Sequence, residues 1–163
     1  WAGFKFFNVY GFGERHKGTM ACSPILNAYD QVSKGGPLRL FRSHKADVPD
    51  GHQTRDFVSV EDVLEVLLFA LEKPLLRGIF NVGTGAGRTF LDVANAVFGA
   101  LRQDPRIEFI DTPVSIRANY QYFTQAEVAK LRAAGFSQPF TPLEEGVRKY
   151  LERLEEFNRP RCT

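Results

Sequence analysis

The chain of 163 residues has the length of one domain, and its 44% hydrophobic and 25% charged residues are typical of a globular protein with a buried core. Its 21 lysines and arginines against 19 aspartates and glutamates leave a net charge of +2. The basic residues are scattered, so we expect no nucleic-acid partner. The apolar runs are too short to span a membrane and the N-terminus does not resemble a signal peptide, so we expect no membrane association.

The cysteines and histidines predict neither a disulfide nor a metal site. Cys22 and Cys162 lie far apart in the sequence, and we expect both to be free thiols in a reducing cytoplasm, where we place the protein. His16, His44 and His52 have no partners at zinc-ligand spacing, so we predict no metal.

The first predicted element is an inner strand of a parallel sheet, from Phe4 to Tyr10, because this run is aromatic and apolar. Its short lead-in, Trp1 to Gly3, leads us to expect the second half of a longer fold and a strand without a partner. Such an exposed aromatic strand would be an aggregation hazard. Gly11 and Gly13 then turn the chain into a loop.

Residues after this strand are candidates for a site, because ligands of open α/β sheets bind at the carboxyl ends of strands. Placement alone selects Asn8, Tyr10, His16 and Lys17. Lys17 is either a solvated surface charge or, beside Arg15 and His16, a proton-transfer group whose pKa is lowered by like charges. Asn8 either binds a substrate hydroxyl or caps the turn.

Four helices are predicted from a hydroxyl residue at the N-cap with a carboxylate three positions later. The four N-cap residues are Ser59, Thr89, Thr124 and Thr141. Pro142 is expected at the first helical position. The helix after Ser59 carries an apolar stripe of Val60, Val63, Leu64, Leu67, Leu68 and Leu71. An earlier helix is predicted from Met20 to Lys34, ended by Gly35 and Gly36.

The remaining strands are short and alternate with the helices. They are predicted at Leu38 to Phe41, Arg55 to Val58, Ile79 to Val82 and Ile107 to Ile110. This alternation predicts an α/β fold. The polar loop from His44 to Thr54 is of a length that is usually functional or disordered.

The segment Gly83 to Arg88 lies between a strand and a helix, where a dinucleotide-binding fingerprint would stand. Arg88 replaces the third glycine, whose absence of a side chain permits close approach of helix and strand. We therefore interpret this segment as an ordinary strand-to-helix turn.

Arg55 and Tyr120 each allow two interpretations. Arg55 either presents a bidentate fork to a diphosphate or carboxylate, with Asp56 orienting it, or forms a surface ion pair. Tyr120, in a polar loop, either stacks on a ligand or packs half-buried.

The segments FNVYG, RDFVSVEDV, IFNVGTG and FTPLEEGVRKYL resemble the C-terminal part of the extended short-chain dehydrogenase/reductases, the family of nucleotide-sugar epimerases and dehydratases. Within that family, HKGTMA and NYQYFTQAEVAKLRAAG resemble the ADP-heptose 6-epimerases. The resemblance covers essentially the whole chain, residues 1–163. It implies the last strands of a Rossmann-type sheet plus a small α/β substrate-binding domain, with the N-terminal dinucleotide-binding half absent.

This resemblance implies an isomerase that inverts C6 of an ADP-heptose through a transient ketone, for the heptose of the lipopolysaccharide inner core. NADP, or NAD in its place, would be the cofactor, an ADP-sugar the substrate and a homo-oligomer the assembly. Lys17 would be the acid/base and contact the cofactor, as would Val9. The implied substrate contacts are Asn8, Thr19, Phe41, Arg42, Ser43, His44, Arg55 and Tyr120. The alternatives are another nucleotide-sugar 4-epimerase or 4,6-dehydratase, or a non-catalytic nucleotide-binding module.

The chain also departs from that family. It has neither the opening glycine-rich fingerprint nor the Tyr-x-x-x-Lys pair that supplies the second acid/base, so we expect this chain alone to be inactive. Leu26 lies near a position where some members carry a substrate-binding histidine, which leaves that contact unassigned.

Overall fold

A computed structural model describes residues 1–18 and 22–159 and shows an α/β fold. The strands are β1 (Ala2–Phe6), β2 (Asn8–Tyr10), β3 (Leu38–Phe41), β4 (Thr54–Arg55), β5 (Phe57–Ser59), β6 (Gly78–Val82), β7 (Arg88–Thr89) and β8 (Ile107–Ile110). The helices are α1 (Pro24–Val32), α2 (Val60–Leu71), α3 (Phe90–Ala100), α4 (Val114–Arg117), α5 (Ala129–Ala133) and α6 (Leu143–Asn158). A short 3-10 helix, Glu14–Lys17, follows β2.

The first predicted strand is two strands with different partners. β1 runs parallel to β6, with Phe4 opposite Phe80, and β2 runs parallel to β5, with Val9 opposite Val58. At the break between them, Phe7 donates its N–H to the Val82 carbonyl. The expectation of an unpaired strand is therefore wrong, since each half of the segment has a parallel partner.

The other strands form one parallel and one antiparallel pair. β3 is parallel to β8 along its whole length, and β4 is antiparallel to β7. The predicted strand from Arg55 to Val58 is interrupted at Asp56, so that Arg55 belongs to β4 and Phe57 begins β5. This interruption lets one short segment join two different pairs of strands.

Two of the four predicted N-caps are confirmed. The Ser59 hydroxyl accepts the N–H of Asp62, and Thr89 forms a reciprocal capping box with Asp92. In both cases the hydroxyl residue leaves a strand in extended conformation and has no competing partner for its oxygen.

The other two N-caps are wrong because tertiary contacts recruit the same residues. Thr124 donates its N–H to the Thr54 carbonyl, while its hydroxyl is buried without a hydrogen-bond partner among the described residues. The next helix, α5, begins at Ala129. Thr141 donates both its N–H and its hydroxyl to the buried Asp62 carboxylate, at 2.9 and 2.8 Å. α6 therefore begins at Leu143, and Pro142 lies at its N-cap rather than in its first turn.

Helices α1 and α2 differ from prediction in extent and in orientation. The Ser23 hydroxyl caps α1, which is shorter than predicted; the expected start at Met20 lies outside the described residues. In α2, Val63 and Val66 face the core, whereas Leu64, Leu68 and Leu71 of the predicted stripe are exposed. The helix thus packs on β5 and β6 by its valine side.

Two hydrophobic clusters form the core. The larger joins α1, α3 and α6 to β2 and β3, and the smaller joins α2, α5 and β6. Leu26 is buried in the larger cluster, so packing accounts for this leucine. None of the described helices combines the length and apolar character needed to cross a membrane.

The contact between Tyr10 and Gly146 closes the larger cluster. Tyr10 is buried at the end of β2, and its hydroxyl has no hydrogen-bond partner among the described residues. A Cβ atom at Gly146 would lie 1.9 Å from that hydroxyl oxygen. Glycine is therefore required near the start of α6 for the tyrosine to fit beneath the helix.

We expect Gly146→Ala to destabilise the fold by about 1–3 kcal/mol through overpacking, although the same change favours an exposed helix by about 1 kcal/mol. Tyr10→Phe removes an oxygen that has no partner and should be nearly neutral. The double variant should recover part of the loss, which denaturant unfolding measures. Additive effects of the two changes would contradict the contact.

Candidate functional site

Arg55 is a buried cation without a carboxylate partner. It is 8% exposed, and its guanidinium donates to the backbone carbonyls of Thr54 (2.8 Å) and Gln121. Among the described residues, no aspartate or glutamate lies within ion-pair distance of it. The surface-ion-pair interpretation is therefore wrong, and so is the role of Asp56 in orienting this guanidinium.

Two aromatic rings lie beside the Arg55 guanidinium. Its central carbon is 5.7 Å from the centre of the Tyr120 ring and 5.9 Å from that of Phe90. Burial lowers the pKa of Arg55 and raises that of the half-buried Tyr120 phenol, while the interaction between the two groups opposes both shifts. An arginine nevertheless stays protonated in proteins. The result is a fixed positive charge in an aromatic setting.

A cavity of about 610 Å³ opens next to these rings. Phe41 from β3, Tyr120 and Phe90 contribute to its wall, and Gln53 and Asn27 add amide groups. The Phe41 and Tyr120 rings meet edge to face with their centres 6.4 Å apart. Apolar and aromatic walls with a few polar groups are typical of a small-molecule site.

The predicted segment Arg42, Ser43 and His44 continues from β3 along the surface beside this cavity. Asp50 holds it, accepting the N–H of Ser43 at 2.6 Å and an Arg42 guanidinium N–H at 3.2 Å. The exposed His44 donates its N–H to the Tyr122 hydroxyl at 3.0 Å. The structure thus brings both ends of this segment to Tyr120. Phe41 contacts the Tyr120 ring directly, and His44 binds Tyr122, whose ring packs against that of Tyr120.

Val9 and Lys17 line a second, smaller cavity of about 220 Å³. Val60 and the backbone of Gly11 and Gly13 complete much of its wall. Lys17 is exposed at the end of the 3-10 helix, and Val9 is half-buried in β2. The two residues expected to meet a cofactor therefore share one wall, although they are eight positions apart.

Two other predicted residues contribute less to the described site. Asn8 is half-buried and donates its backbone N–H to the Asp56 carbonyl at 2.9 Å, so it lies next to the residue that follows Arg55. Thr19 lies outside the described residues. The substrate roles of both stay predictions.

Asp56 is the residue whose role the sequence did not reveal. Its carboxylate is fully buried and accepts four hydrogen bonds: from the Thr84 N–H and hydroxyl, both at 2.7 Å, and from the Gly85 and Ala126 N–H groups, both at 2.9 Å. A Cβ at Gly83 would lie 2.9 Å from one of its oxygens. The glycine-rich turn therefore surrounds a protein carboxylate.

This arrangement explains the turn at Gly83–Arg88. The N–H groups of Thr84 and Gly85 bind Asp56, so they are not free for a pyrophosphate. Arg88 turns to Glu144 and Asp92. Its hydrogen bond lowers the pKa of Glu144, and the pKa of Asp92 is lowered, against the effect of burial, by the Thr89 backbone N–H and then by Arg88. Both observations support the interpretation of this segment as a structural turn.

Histidine, cysteine, aspartate and glutamate side chains do not gather into groups of three or more that could hold a metal, among residues 1–18 and 22–159. Cys22 is a half-buried free thiol, and Cys162 lies outside the described residues.

Comparison with known proteins identifies relatives of this chain. Residues 1–83 match the model of the NAD dependent epimerase/dehydratase family. The chain is 50% identical over 152 residues to the ADP-L-glycero-D-manno-heptose-6-epimerase of Nitratidesulfovibrio vulgaris, covering 93% of this chain and 47% of that protein. It is 41% identical to the enzyme of the same name from Fusobacterium nucleatum, with the same two coverages. The chain thus spans about half the length of these curated relatives.

Solved structures of two epimerases superpose on this chain. The Helicobacter pylori ADP-L-glycero-D-manno-heptose-6-epimerase superposes with a TM-score of 0.77 at 25% identity, covering 94% of this chain and 44% of that one. The Thermus thermophilus UDP-glucose 4-epimerase, solved in complex with NAD, gives a TM-score of 0.73 at 29% identity, with coverages of 95% and 46%. These matches confirm the predicted Rossmann-like α/β fold.

We expect Asp56→Asn to lower the free energy of unfolding by about 2–4 kcal/mol, because either orientation of the amide turns an NH₂ group against a backbone N–H in a buried place. Thr84→Val is the matched control, since it keeps the shape and the Thr84 N–H and removes only the hydroxyl, which donates to Asp56 and accepts the Ala86 N–H. Its cost should stay near 1 kcal/mol. Equal stability of Asp56→Asn and wild type in denaturant unfolding would refute this role.

Proposed function

The chain belongs to the NAD dependent epimerase/dehydratase family, and on that basis we propose that it forms the substrate-binding half of an ADP-heptose 6-epimerase. In this proposal the sheet edge around β2 and β5 belongs to the Rossmann part and the cavity at Phe41 to a small substrate-binding domain. The N-terminal half of the enzyme would supply the glycine-rich cofactor cradle and a Tyr-x-x-x-Lys pair.

The observation that carries the proposal is the buried charge of Arg55, which has no carboxylate partner in the part of the chain that the structure describes. Burying a cation without a counter-ion is costly, and two carbonyl acceptors compensate only part of that cost. A diphosphate would supply the missing negative charge in the bidentate geometry that a guanidinium fits. The substrate class that this site fits is therefore a nucleoside diphosphate sugar.

The aromatic cavity beside Arg55 supports the proposal that the nucleotide part of the substrate binds there. Phe41, Phe90 and Tyr120 supply ring surface on which a base can pack, and Gln53 and Asn27 supply amides. We propose that Arg42, Ser43 and His44 contact the nucleotide at the rim and that Asn8 and Thr19 contact the sugar. The 50% and 41% identities to two curated heptose epimerases support an ADP-heptose as the substrate.

The smaller cavity fits the nicotinamide end of a dinucleotide. Its wall combines the apolar side chains of Val9 and Val60 with the amine of Lys17 and the backbone of two glycines. A bound NADP, or NAD in its place, would supply the redox chemistry at C6 of the heptose, taking up a hydride and later returning it. The choice between the two cofactors would be made by residues of the N-terminal half.

The residues of this chain would move the proton and hold the substrate. Arg55 anchors the diphosphate, which places the heptose at the carboxyl ends of β2 and β5. Lys17 acts as acid/base at the C6 oxygen on one face, losing a proton as the ketone is reduced and regaining one as the alcohol is oxidised. The second acid/base of the N-terminal half serves the opposite face, so the net result is inversion without net oxidation.

This enzyme would be an isomerase of the cytoplasm that supplies heptose for the lipopolysaccharide inner core and works as a homo-oligomer. In this proposal it has neither a nucleic acid nor a membrane as partner.

We expect Arg55→Met, in the complete epimerase, to weaken ADP binding about 10- to 100-fold, the equivalent of one or two charge-assisted hydrogen bonds. Arg55→Lys should recover only part of the affinity because it keeps the charge and loses the fork. Arg148→Met is the control, since Arg148 is exposed and pairs with Glu152 on α6. Isothermal titration calorimetry would contradict the assignment if ADP binds all three variants alike.

A direct comparison of substrates tests the reaction. The complete enzyme should invert C6 of an ADP-heptose and act far more slowly on a UDP-hexose. A preference for the UDP-hexose would identify a 4-epimerase or dehydratase, and an absence of turnover on both would identify a binding module. Either result would refute the proposed function.

A further inference from the structure

Glu14 is a buried carboxylate that the proposed reaction does not use. It is 5% exposed, and it lies in the 3-10 helix that ends at Lys17. One oxygen accepts the Ser23 N–H at 2.5 Å. The other accepts the Ser23 hydroxyl at 2.7 Å, the Tyr150 hydroxyl at 2.9 Å and, more weakly, the Gly11 N–H at 3.5 Å. One residue thus joins the loop after β2 to the start of α1 and to α6.

The surroundings of Glu14 compensate its charge without a basic partner. Among the described residues, no lysine or arginine lies within ion-pair distance of its carboxylate. It lies at the N-terminus of α1, where the helix dipole favours an anion. Ser23 is at the same time the N-cap of α1, accepting the Leu26 N–H at 3.2 Å. The position of the carboxylate is therefore fixed by the cap of α1.

Tyr150 supplies the contact from α6. It is 4% exposed in the larger core cluster. Burial and the neighbouring Glu14 charge raise the pKa of Tyr150, so the phenol stays protonated and donates to the carboxylate. The geometry of the Lys17 loop is thereby coupled to a rigid helix of 16 residues.

The other tethers of this loop are exposed. Arg15 forms a two-bond ion pair with Asp30 of α1, at 2.9 and 3.2 Å, but both side chains are more than a third exposed. His16 contacts the Gly13 carbonyl within the loop itself. Exposed ion pairs contribute little, which leaves Glu14 as the buried anchor of the loop among the described residues.

We propose that Glu14 is the positioning residue for Lys17, holding the loop so that the lysine amine stays at the wall of the smaller cavity. This inference rests on the proposed function, in which Lys17 is the acid/base. Both residues line that cavity, three positions apart on one 3-10 turn. Displacing a catalytic group by about 1 Å can cost two orders of magnitude in rate.

Two substitutions of Glu14 distinguish the effect of its hydrogen bonds from the effect of its charge. Glu14→Ala removes all four hydrogen bonds of the carboxylate and should lower kcat about 10- to 100-fold. Its KM for the ADP-sugar should change less than about threefold, because Arg55 and the aromatic cavity hold the nucleotide. Glu14→Gln can still accept the Ser23 N–H with its carbonyl and donate its amide to the two hydroxyls, and it loses only the long contact with the Gly11 N–H. It should therefore retain most of the wild-type kcat. Glu152→Ala, at an exposed carboxylate of α6, is the control.

A double-mutant cycle with Lys17→Ala, measured on the complete epimerase, is the decisive test. If Glu14 acts through Lys17, adding Glu14→Ala to Lys17→Ala should lower kcat no further. If Glu14→Ala reduces kcat by the same factor in both backgrounds, or leaves kcat unchanged, the inference is overturned. Should Glu14→Ala fail to fold, Tyr150→Phe runs the same cycle, with an expected loss of about three- to tenfold in kcat where Lys17 is present and none where it is absent.

The two proposals fail in different ways. Wild-type epimerisation by Lys17→Ala would overturn the role of Lys17 and, with it, both proposals. Loss of activity in Lys17→Ala together with unchanged kcat in Glu14→Ala and Tyr150→Phe would overturn only the role of Glu14.

Discussion

The rest of the structure depends on the hydrogen bonds that the fully buried carboxylate of Asp56 accepts. Asp56 binds the N–H groups of Thr84, Gly85 and Ala126 and so joins the turn after β6 to the segment that precedes α5. Its backbone interrupts the strand between Arg55 and Phe57, which lets the chain pair with β7 on one side and with β2 on the other. Because an unsatisfied buried carboxylate is costly, these segments must close around it together.

The buried charges of this chain differ in how completely they are satisfied. Asp56 and Glu14 each accept hydrogen bonds at both oxygens from groups of the chain itself. Arg55 has carbonyl acceptors and aromatic neighbours but no anion among the described residues. A satisfied carboxylate holds the fold, whereas an unsatisfied cation favours a ligand of opposite charge. That contrast separates the positioning residues from the residue that we propose to bind the diphosphate.

Local sequence patterns predicted structure well where the residues have no competing tertiary partner. Ser59 and Thr89 cap α2 and α3 as expected, and the strands at Leu38 to Phe41 and Ile107 to Ile110 agree with prediction to the residue. Thr124 and Thr141 carry the same pattern and fail, because residues 70 and 79 positions away hold their backbone in place. The Thr54 carbonyl accepts the Thr124 N–H, and Asp62 accepts the N–H and the hydroxyl of Thr141. No local pattern contains such a partner.

The sequence by itself determined the α/β alternation, the family resemblance, and the candidates Arg55, Lys17 and Tyr120, since these depend on periodicity and on residue types within short motifs. Only the tertiary structure decided that Arg55 is buried beside Tyr120 and Phe90, that Val9 and Lys17 share a cavity, and that Asp56 and Glu14 are anchors. The reason is physical: hydrogen bonding and burial depend on which distant segments meet. A sequence motif does not distinguish an acidic residue that binds a ligand from one that pairs with an arginine or holds a loop in place.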